Sequence, residues 1–362
     1  MKKSGKRIRL TPEEVELICE SRSTKLDNIN GNTALDVHLN ERGIDKKDVV
    51  SVKHWQSANG EYHFSVVTKE NIEDETNVIW KQVHKFIAEH SPKYPKIKRK
   101  KTGKHLLVIN PADIHIGKYA SSKETGDEYN IEIAEKRVIE GITGIIEKSK
   151  GFEIDKILFC IGNDVMHIDN VYNTTTRGTP QDADGKWWEH FEIALKLYVQ
   201  CVELLRQIAP VDCVHSMSNH DYQSGFHLAH SLKSWFRNTK DVSVDAGVAH
   251  RKYYVYGKNL IGLEHGDGAK MANLPLLMAQ ENPLKWGQTK FRYWYLHHLH
   301  HKVKWKWMDA KDFIGVVVEY LRSPSGTDSW HKRKGFSGAQ KAVEGFIHHK
   351  EKGQIARISH LF

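Results

Sequence analysis

Five short clusters of Asp, Asn and His residues recur along the chain, and their side chains are of the types that bind metal ions. The clusters are Asp113-Ile114-His115, Asp164-Val165-Met166-His167, Asn219-His220-Asp221, His265-Gly266-Asp267 and His298-Leu299-His300. Together they offer about seven nitrogen and oxygen ligands, which is too many for one tetrahedral zinc ion and suits a pair of ions. Carboxylate and imidazole ligands suit Mn²⁺, Fe, Zn²⁺ or Ni²⁺. The sequence therefore predicts two divalent metal ions, with Mn²⁺ as the first expectation.

Each cluster directly follows a short apolar run, and the runs are LLVIN, ILFCI, VDCV, LIGL and FRYWYL. Such runs are typical of buried parallel strands, and open α/β sheets place their chemistry in loops beyond the carboxyl ends of those strands. The stretches IEIAEKRVIEGITGIIEKS and HFEIALKLYVQCVELLRQI have apolar residues at helical spacing, as the crossover helices of βαβ units require. We therefore predict an α/β domain over residues 106–362 in which five loops meet at one edge.

The last cluster lies among four His residues, and its spacing selects two of them. Only His298 and His300 stand two residues apart. In an extended segment, that spacing places both imidazoles on one face. His297 and His301 should then point elsewhere.

The order and character of the clusters resemble the calcineurin-like metallophosphoesterase family, whose pattern runs D-x-H, G-D-x-x-D or H, G-N-H-D or E, a later His, and G-H-x-H. The resemblance spans residues 106–301 and implies a β-sandwich core flanked by helices. Three residues depart from the pattern at positions beside ligands: Asn163 stands between Gly162 and Asp164, Ser218 replaces the Gly before Asn219, and His297 replaces the Gly before His298. The departures bear on loop geometry, because Gly in such turns permits positive φ or a close backbone approach.

The resemblance also implies a division of the ligands between two ions. One ion would be held by Asp113, His115, Asp164 and His300, and the other by Asp164, Asn219, His265 and His298, with Asp164 bridging them. The implied reaction is hydrolysis of a phosphodiester by a hydroxide that bridges the ions and attacks phosphorus in line with the leaving group. No covalent enzyme intermediate is needed.

Three further residues are predicted to be catalytic. His220 resembles the family His that stabilises the transition state or protonates the leaving oxygen, with Asp221 orienting its ring; alternatively, His220 only hydrogen-bonds its loop. His167, three residues after Asp164, fits the DNA-repair exonuclease branch, whereas many phosphatases carry Asp there. Asp169 lies two residues after His167 and could supply the carboxylate that is typical of the phosphatases, so the choice between the two branches stays open.

The resemblance therefore leads us to expect a metal-dependent nuclease that acts on DNA. Two alternatives stay open. The first is a phosphatase or phosphodiesterase for a small or cyclic nucleotide, which a closed, narrow pocket would favour. The second is a non-catalytic nucleic-acid-binding component that keeps the metal-site residues for stability.

A polar stretch, NVYNTTTRGTPQDADGKWW, follows the second cluster and carries Arg177. Its position favours a lid or a substrate contact, and a solvated surface loop is the alternative. Arg177 is the candidate for binding substrate, because a guanidinium can engage two phosphate oxygens at once.

The N-terminal part of the chain has a different pattern. Residues 1–90 are predicted to form a small α+β domain with a hairpin, either winged-helix-like and DNA-binding or a module for docking to a partner protein or for homo-oligomerisation. Within this domain, we predict one helix that begins at Thr11 and a second helix over Thr33 to Arg42. Residues 91–105, SPKYPKIKRKKTGKH, read as a basic linker, either solvated or lying along phosphates.

Composition is consistent with a DNA partner. The chain has 54 Lys and Arg against 45 Asp and Glu, a net charge of +9. Residues 285–307 and 330–336 interleave aromatic and basic residues, as nucleic-acid stacking platforms do, although a buried strand would give a similar mixture in the first stretch. The four cysteines form no C-x-x-C pair, and no apolar run approaches a membrane span, so we expect a cytoplasmic protein without a membrane partner.

Overall fold

The computed structural model describes residues 34–56, 62–68, 81, 92–99, 103–299, 310–335 and 338–362. The chain divides into two compact units, Met1–Ser91 and Pro92–Phe362. The predicted helix at Thr11, the hairpin turn around Asn59, and the residues His300 and His301 lie outside the described residues.

The described part of the first unit contains one α-helix, the short 3-10 helix Lys46–Asp48 and two strands. Helix α1 is Ala34–Glu41, and Gly43 follows it with a φ of 62°, a conformation that glycine adopts without a Cβ penalty. Strands β1, Val49–Gln56, and β2, Tyr62–Thr68, pair antiparallel. The predicted helix over Thr33 to Arg42 and the two predicted hairpin strands are thus confirmed.

The second unit contains two mixed sheets. The first has the order β13-β12-β3-β4-β5-β6 and is formed by β3 (His105–Asn110), β4 (Ile154–Gly162), β5 (Val211–Ser216), β6 (Val242–Asp245), β12 (Ala342–His349) and β13 (Gly353–Leu361). The second has the order β10-β11-β9-β8-β7 and is formed by β7 (Lys252–Tyr256), β8 (Asn259–Leu263), β9 (Phe291–Leu296), β10 (Ala310–Asp312) and β11 (Val316–Tyr320). All five apolar runs are therefore strands, which confirms the α/β class. Strands β3, β4 and β5 run parallel to one another, as do β8 and β9.

Seven helices are described in the second unit, and they are α2 (Ser122–Thr125), α3 (Ile131–Lys148), α4 (Trp187–Leu205), α5 (Tyr222–Trp235), α6 (Leu274–Glu281), α7 (Pro283–Gln288) and α8 (Ser329–Arg333). The two predicted crossover helices correspond to α3 and α4. Asn130 caps α3 by accepting a hydrogen bond from the Ile133 N–H at 2.9 Å. Along the described stretches, no helix is both long enough and apolar enough to cross a membrane.

Alternate residues of the central strands pack into different apolar clusters. Val108 and Leu158 of the first sheet share a cluster with Ile261 and Tyr295 of the second, so the two sheets pack against each other. Leu107, Ile109, Ile157 and Phe159 belong to a cluster that includes residues of α3, α4 and α5. A strand that is buried on both faces has no polar alternation, and this explains why the runs are continuously apolar.

The second sheet also has helices against its other face. Leu260 and Trp294 pack with Leu274 and Met278 of α6. Trp294 and Tyr295 are fully buried. For this part of residues 285–307, the aromatic residues therefore belong to a buried strand and not to an exposed stacking platform.

Part of the predicted basic linker, residues 92–99, belongs to the second unit and packs against other residues of that unit. The Tyr94 ring stacks on Phe236 with centroids 5.4 Å apart, and its hydroxyl donates a hydrogen bond of 2.5 Å to Glu203. Arg99 forms an ion pair of 2.6 Å with Asp241. The Tyr94 and Arg99 side chains are therefore engaged by protein groups, whereas Lys93, Lys96 and Lys98 are exposed.

Candidate metal centre

The loops after β3, β4, β5, β8 and β9 bring the predicted ligands together. Three groups have ligand atoms within 4.8 Å of one another, and they are Asp113–His115–Asp164, Asp164–His265–His298 and His115–His167–His220. Asp164 belongs to two of the three groups. The described members of the predicted ligand set therefore meet at one site, in which Asp164 is shared by two of the groups.

The Nε2 atom of His265 is the meeting point for one set of ligands. It lies 3.1 Å from Oδ2 of Asp164 and 2.8 Å from Oδ1 of Asn219. The Nδ1 atom of His298 is 3.2 Å away from it. These four side chains are the ones expected to hold the second ion.

The other predicted set is described in part. Asp113 and His115 are buried, and the Asp113 carboxylate accepts hydrogen bonds of 3.1 and 3.2 Å from the backbone N–H of His298. This contact joins the loop after β3 to the loop after β9, which come from different sheets. His300, the fourth predicted member, lies outside the described residues.

Four predicted ligands have an unusual backbone conformation. Positive φ occurs at Asp113 (51°), His115 (51°), Asp164 (60°) and His298 (70°). Such angles are uncommon for residues other than glycine, and they persist where surrounding structure over-determines them, often at functional sites. The folded loops therefore hold these four residues in conformations that an isolated chain would rarely adopt.

The conformation of His298 corrects the predicted register. Strand β9 ends at Leu296, and His298 lies in a bend and not in an extended segment. His298 reaches the site because its loop turns toward Asp113, and not because of strand alternation. His297 is buried, and no hydrogen bond to its ring is formed within the described chain.

Of the three departures from the family pattern, Asn163 adopts a positive φ of 59°, and Ser218 has a clear local role. Neither Ser218 nor His297 adopts a positive φ, so a glycine is not required at either position. The Ser218 hydroxyl accepts a hydrogen bond of 2.8 Å from the Asp164 N–H and donates one of 2.5 Å to Asp221. A glycine could make neither bond, so Ser218 links the loops that follow β4 and β5.

Asp221 does not orient the ring of His220 as predicted. Its carboxylate accepts hydrogen bonds from Ser218 and from the Met166 N–H at 3.0 Å. The His220 Nδ1 atom instead lies 2.8 Å from the carbonyl oxygen of His167 and donates to it. The His220 backbone N–H also donates to Oδ1 of Asp164 at 2.9 Å. The ring is thus fixed by the second cluster, and Nε2 is the nitrogen left for substrate chemistry.

His167 lies within the site as a neutral ring. Its Nδ1 atom is 3.4 Å from that of His115, and its ring stacks on His220 with centroids 5.3 Å apart. Burial, reinforced by the charge of His220, lowers the pKa of His167 well below its usual value. Near neutral pH, His167 is therefore a poor proton donor but can act as a contact or a ligand.

The electrostatics of the site fit a divalent cation. Burial and the charge of Asp164 raise the pKa of Asp113 to about 7, even though His265 opposes the shift. Burial would lower the pKa of His265, but the Asp164 carboxylate outweighs it and raises that pKa to about 9. Oδ2 of Asp164 is buried, and His265 Nε2 lies 3.1 Å from it. Two buried carboxylates and converging imidazoles match the donors that such an ion requires.

Metal affinity should therefore rise with pH. Below about pH 7, Asp113 and His265 both hold protons that a cation must displace, and His265 still holds one up to about pH 9. We expect Mn²⁺ binding to release protons and its dissociation constant to fall steadily from pH 6 to pH 8. Calorimetry at one pH in buffers of different ionisation enthalpy counts the released protons. A dissociation constant independent of pH over this range would contradict the assignment.

Arg177 lines two neighbouring cavities at the site. One, of about 620 Å³, is also lined by His115, His220 and His298. The other, of about 330 Å³, is lined by Tyr222 and His250 among others. Three residues line both cavities, and they are Arg177, Asn219 and Asp267.

The loop that carries Arg177 is anchored by Asp169. The Asp169 carboxylate accepts hydrogen bonds from the N–H groups of Ser224 (2.8 Å) and Gln223 (3.1 Å) at the start of α5. It also accepts one from the Thr176 hydroxyl at 2.8 Å. Asp169 therefore caps a helix and holds the Arg177 loop. These contacts explain why an Asp stands close to the second cluster without being a metal ligand.

Two residues at the larger cavity, Lys118 and Asp328, were not predicted from the sequence to belong to the site. Lys118 is 1% exposed and forms an ion pair of 2.9 Å with Asp328, which lines the cavity. A lysine is normally assigned to the surface, so composition gave no signal for it. The sequence could have indicated Asp328 as a helix cap, because it directly precedes Ser329-Trp330-His331 at the start of a short helix.

Known proteins offer no direct identification. No protein-family model matches the chain, and no curated protein matches its sequence. The functional conclusion therefore rests on the site itself and on the order of its motifs.

Proposed function

We propose that the chain is a two-metal-dependent phosphodiester hydrolase of the calcineurin-like type that acts as a DNA nuclease. The observation that carries this proposal is the convergence on Asp164 of buried Asp and His ligands from separate strand ends. The order of these ligands along the chain supports the same family. His167 after Asp164 supports its DNA-repair exonuclease branch.

The site's own residues would prepare the substrate and the proton path. Two divalent ions held here would supply Lewis acidity toward phosphate oxygens and lower the pKa of water. Asp164 holds the His220 backbone at 2.9 Å, and the His167 carbonyl fixes the His220 ring at 2.8 Å. When His220 is protonated, Nε2 can donate to the leaving oxygen or to a phosphate oxygen.

A polymeric substrate is favoured over a small one by the two cavities at the site and by the charge of the chain. The cavities of about 620 and 330 Å³ share lining residues, so they lie side by side at the ligand cluster and offer space for more of a substrate than one phosphate group. Arg177 is exposed in the wall between them, where it can engage a phosphate next to the scissile one. The net charge of +9 adds a general attraction for polyanions.

The decisive assay is hydrolysis of labelled single- and double-stranded DNA beside bis-p-nitrophenyl phosphate, with Mn²⁺ and purified protein. We expect DNA and the small diester to be hydrolysed. Hydrolysis of the small diester or of a cyclic nucleotide, but not of DNA, would favour the small-nucleotide phosphodiesterase. Full metal binding without hydrolysis of any substrate would favour the non-catalytic alternative.

Arg177→Gln should separate substrate binding from chemistry. Losing a phosphate contact should raise KM for DNA by about 10-fold, corresponding to about 1.4 kcal/mol, and leave bis-p-nitrophenyl phosphate turnover unchanged. Arg237→Gln is the matched control, because Arg237 is exposed beyond α5 and lines neither cavity. Equal KM values for the two variants on DNA would remove Arg177 from the substrate-binding site.

A further inference from the structure

One wall of the 620 Å³ cavity is formed by side chains that are not predicted metal ligands. Tyr119 and Trp330 line this wall and are 51% and 49% exposed. The Trp330 ring meets the His331 ring edge-on, with centroids 5.0 Å apart. Large aromatic side chains that stay half-exposed beside a polar cleft are typical of ligand contacts.

His331 is held in a defined orientation by Asp328. Oδ1 of Asp328 lies 2.7 Å from the His331 Nδ1 atom and accepts a hydrogen bond of 2.8 Å from its backbone N–H. A carboxylate at Nδ1 fixes the tautomer and the orientation of the ring, as it does for histidines at binding sites. The Nε2 edge is therefore the part of the ring that a ligand can contact, and it donates a hydrogen bond to a phosphate oxygen when it carries a proton.

Asp328 is in turn fixed by the buried Lys118. The Lys118 ammonium and Oδ2 of Asp328 are 2.9 Å apart. Burial would raise the pKa of Asp328, but the hydrogen bond from His331 and the charge of Lys118 hold it well below its usual value. A buried lysine is costly unless it is paired, so this ion pair is a built feature of the cavity wall. Lys118 lies three residues after His115, and its loop joins this wall to the metal centre.

We propose that Tyr119, Trp330 and His331 form a nucleotide-binding subsite beside the metal centre, with the two aromatic rings contacting a base and His331 contacting a phosphate. The identification of the ligand as a nucleotide rests on the proposed nuclease function. A base within a duplex is already stacked on its neighbours and cannot offer its face to a protein ring. The ligand is therefore an unpaired nucleotide of a single strand.

Binding without metal tests the subsite separately from catalysis. The probe is a fluorescein-labelled dT hexamer, and the readout is fluorescence anisotropy with the full chain in EDTA at fixed salt. Trp330→Ala should weaken binding by about 10- to 100-fold, the range for losing one stacked base. Trp330→Phe should restore most of the affinity, because phenylalanine also offers a ring face.

Two further variants sharpen this test. Trp188→Ala is the matched control, because Trp188 is 48% exposed and lines neither described cavity, and it should bind the hexamer as the wild type does. His331→Gln should weaken binding of the hexamer, because the variant loses the ring that Asp328 orients at the cavity wall. With Mn²⁺, Trp188→Ala should hydrolyse bis-p-nitrophenyl phosphate within about twofold of the wild-type rate, because Trp188 lies outside the cavity that contains the metal centre.

Different experimental results would overturn the subsite and the proposed function. Wild-type affinity for the hexamer in Trp330→Ala, or an equal loss in Trp330→Ala and Trp188→Ala, would overturn the subsite even if the enzyme hydrolyses bis-p-nitrophenyl phosphate. Absence of hydrolysis of any diester by the wild-type protein with Mn²⁺ would overturn the proposed function. The binding series in EDTA would still decide whether the subsite exists.

Discussion

Asp164→Asn is expected to abolish turnover and to lower the amount of bound metal. Asp164 belongs to two ligand groups, and its carboxylate is fully buried between His265 and the His220 backbone. Asparagine keeps the size of the side chain but removes the negative charge that both ions would share. Because one substitution weakens both ions, activity toward bis-p-nitrophenyl phosphate should fall below detection. Elemental analysis of the purified variant measures the metal.

Asp182→Asn is the control for this experiment. Asp182 lines the same cavity but is exposed and belongs to none of the three ligand groups. It should keep the wild-type metal content and diester turnover. Two full equivalents of metal and normal activity in Asp164→Asn would refute the bridging assignment.

His220→Ala is expected to keep both ions and to lower the rate by about 10²–10⁴-fold, the range for a lost general acid. The His220 backbone N–H that binds Asp164 remains in this variant, so the ligand loop keeps its anchor. The ring that the His167 carbonyl orients is lost. Parallel measurements of metal content and kcat separate the two effects.

The same experiment distinguishes catalysis from metal binding at His220. The ring centroids of His115 and His220 are 4.6 Å apart, and with His167 they form a group that could itself hold an ion. If metal content falls in proportion to activity, His220 is a ligand and the proposed division of roles is wrong.

The sequence was sufficient to predict the strands that carry the ligands. Runs such as ILFCI are continuously apolar because β4 is covered on both faces. Such a run can be recognised in the sequence without knowing which elements cover the strand. The sequence could not show that the ligand-bearing strands divide between two sheets. Pairing between strands distant in the chain depends on contacts that no local pattern records.

Details within the loops were less predictable. The extended conformation expected from His298 to His300 is absent at His298, because its N–H turns to bind Asp113 from the other sheet. Asp221 was expected behind His220, but hydrogen bonds to Ser218 and Met166 occupy it. Each outcome depends on a contact between loops far apart in sequence. The burial of Lys118 is of the same kind, since only the folded chain places Asp328 beside it.

The most direct test of the account is a titration of metal-free protein with Mn²⁺ that follows bound metal and bis-p-nitrophenyl phosphate turnover in the same samples. A two-metal phosphodiesterase should bind two equivalents per chain and reach full activity only as the second equivalent binds. Full activity with one equivalent, or two bound equivalents without turnover, would contradict the proposed two-metal hydrolysis.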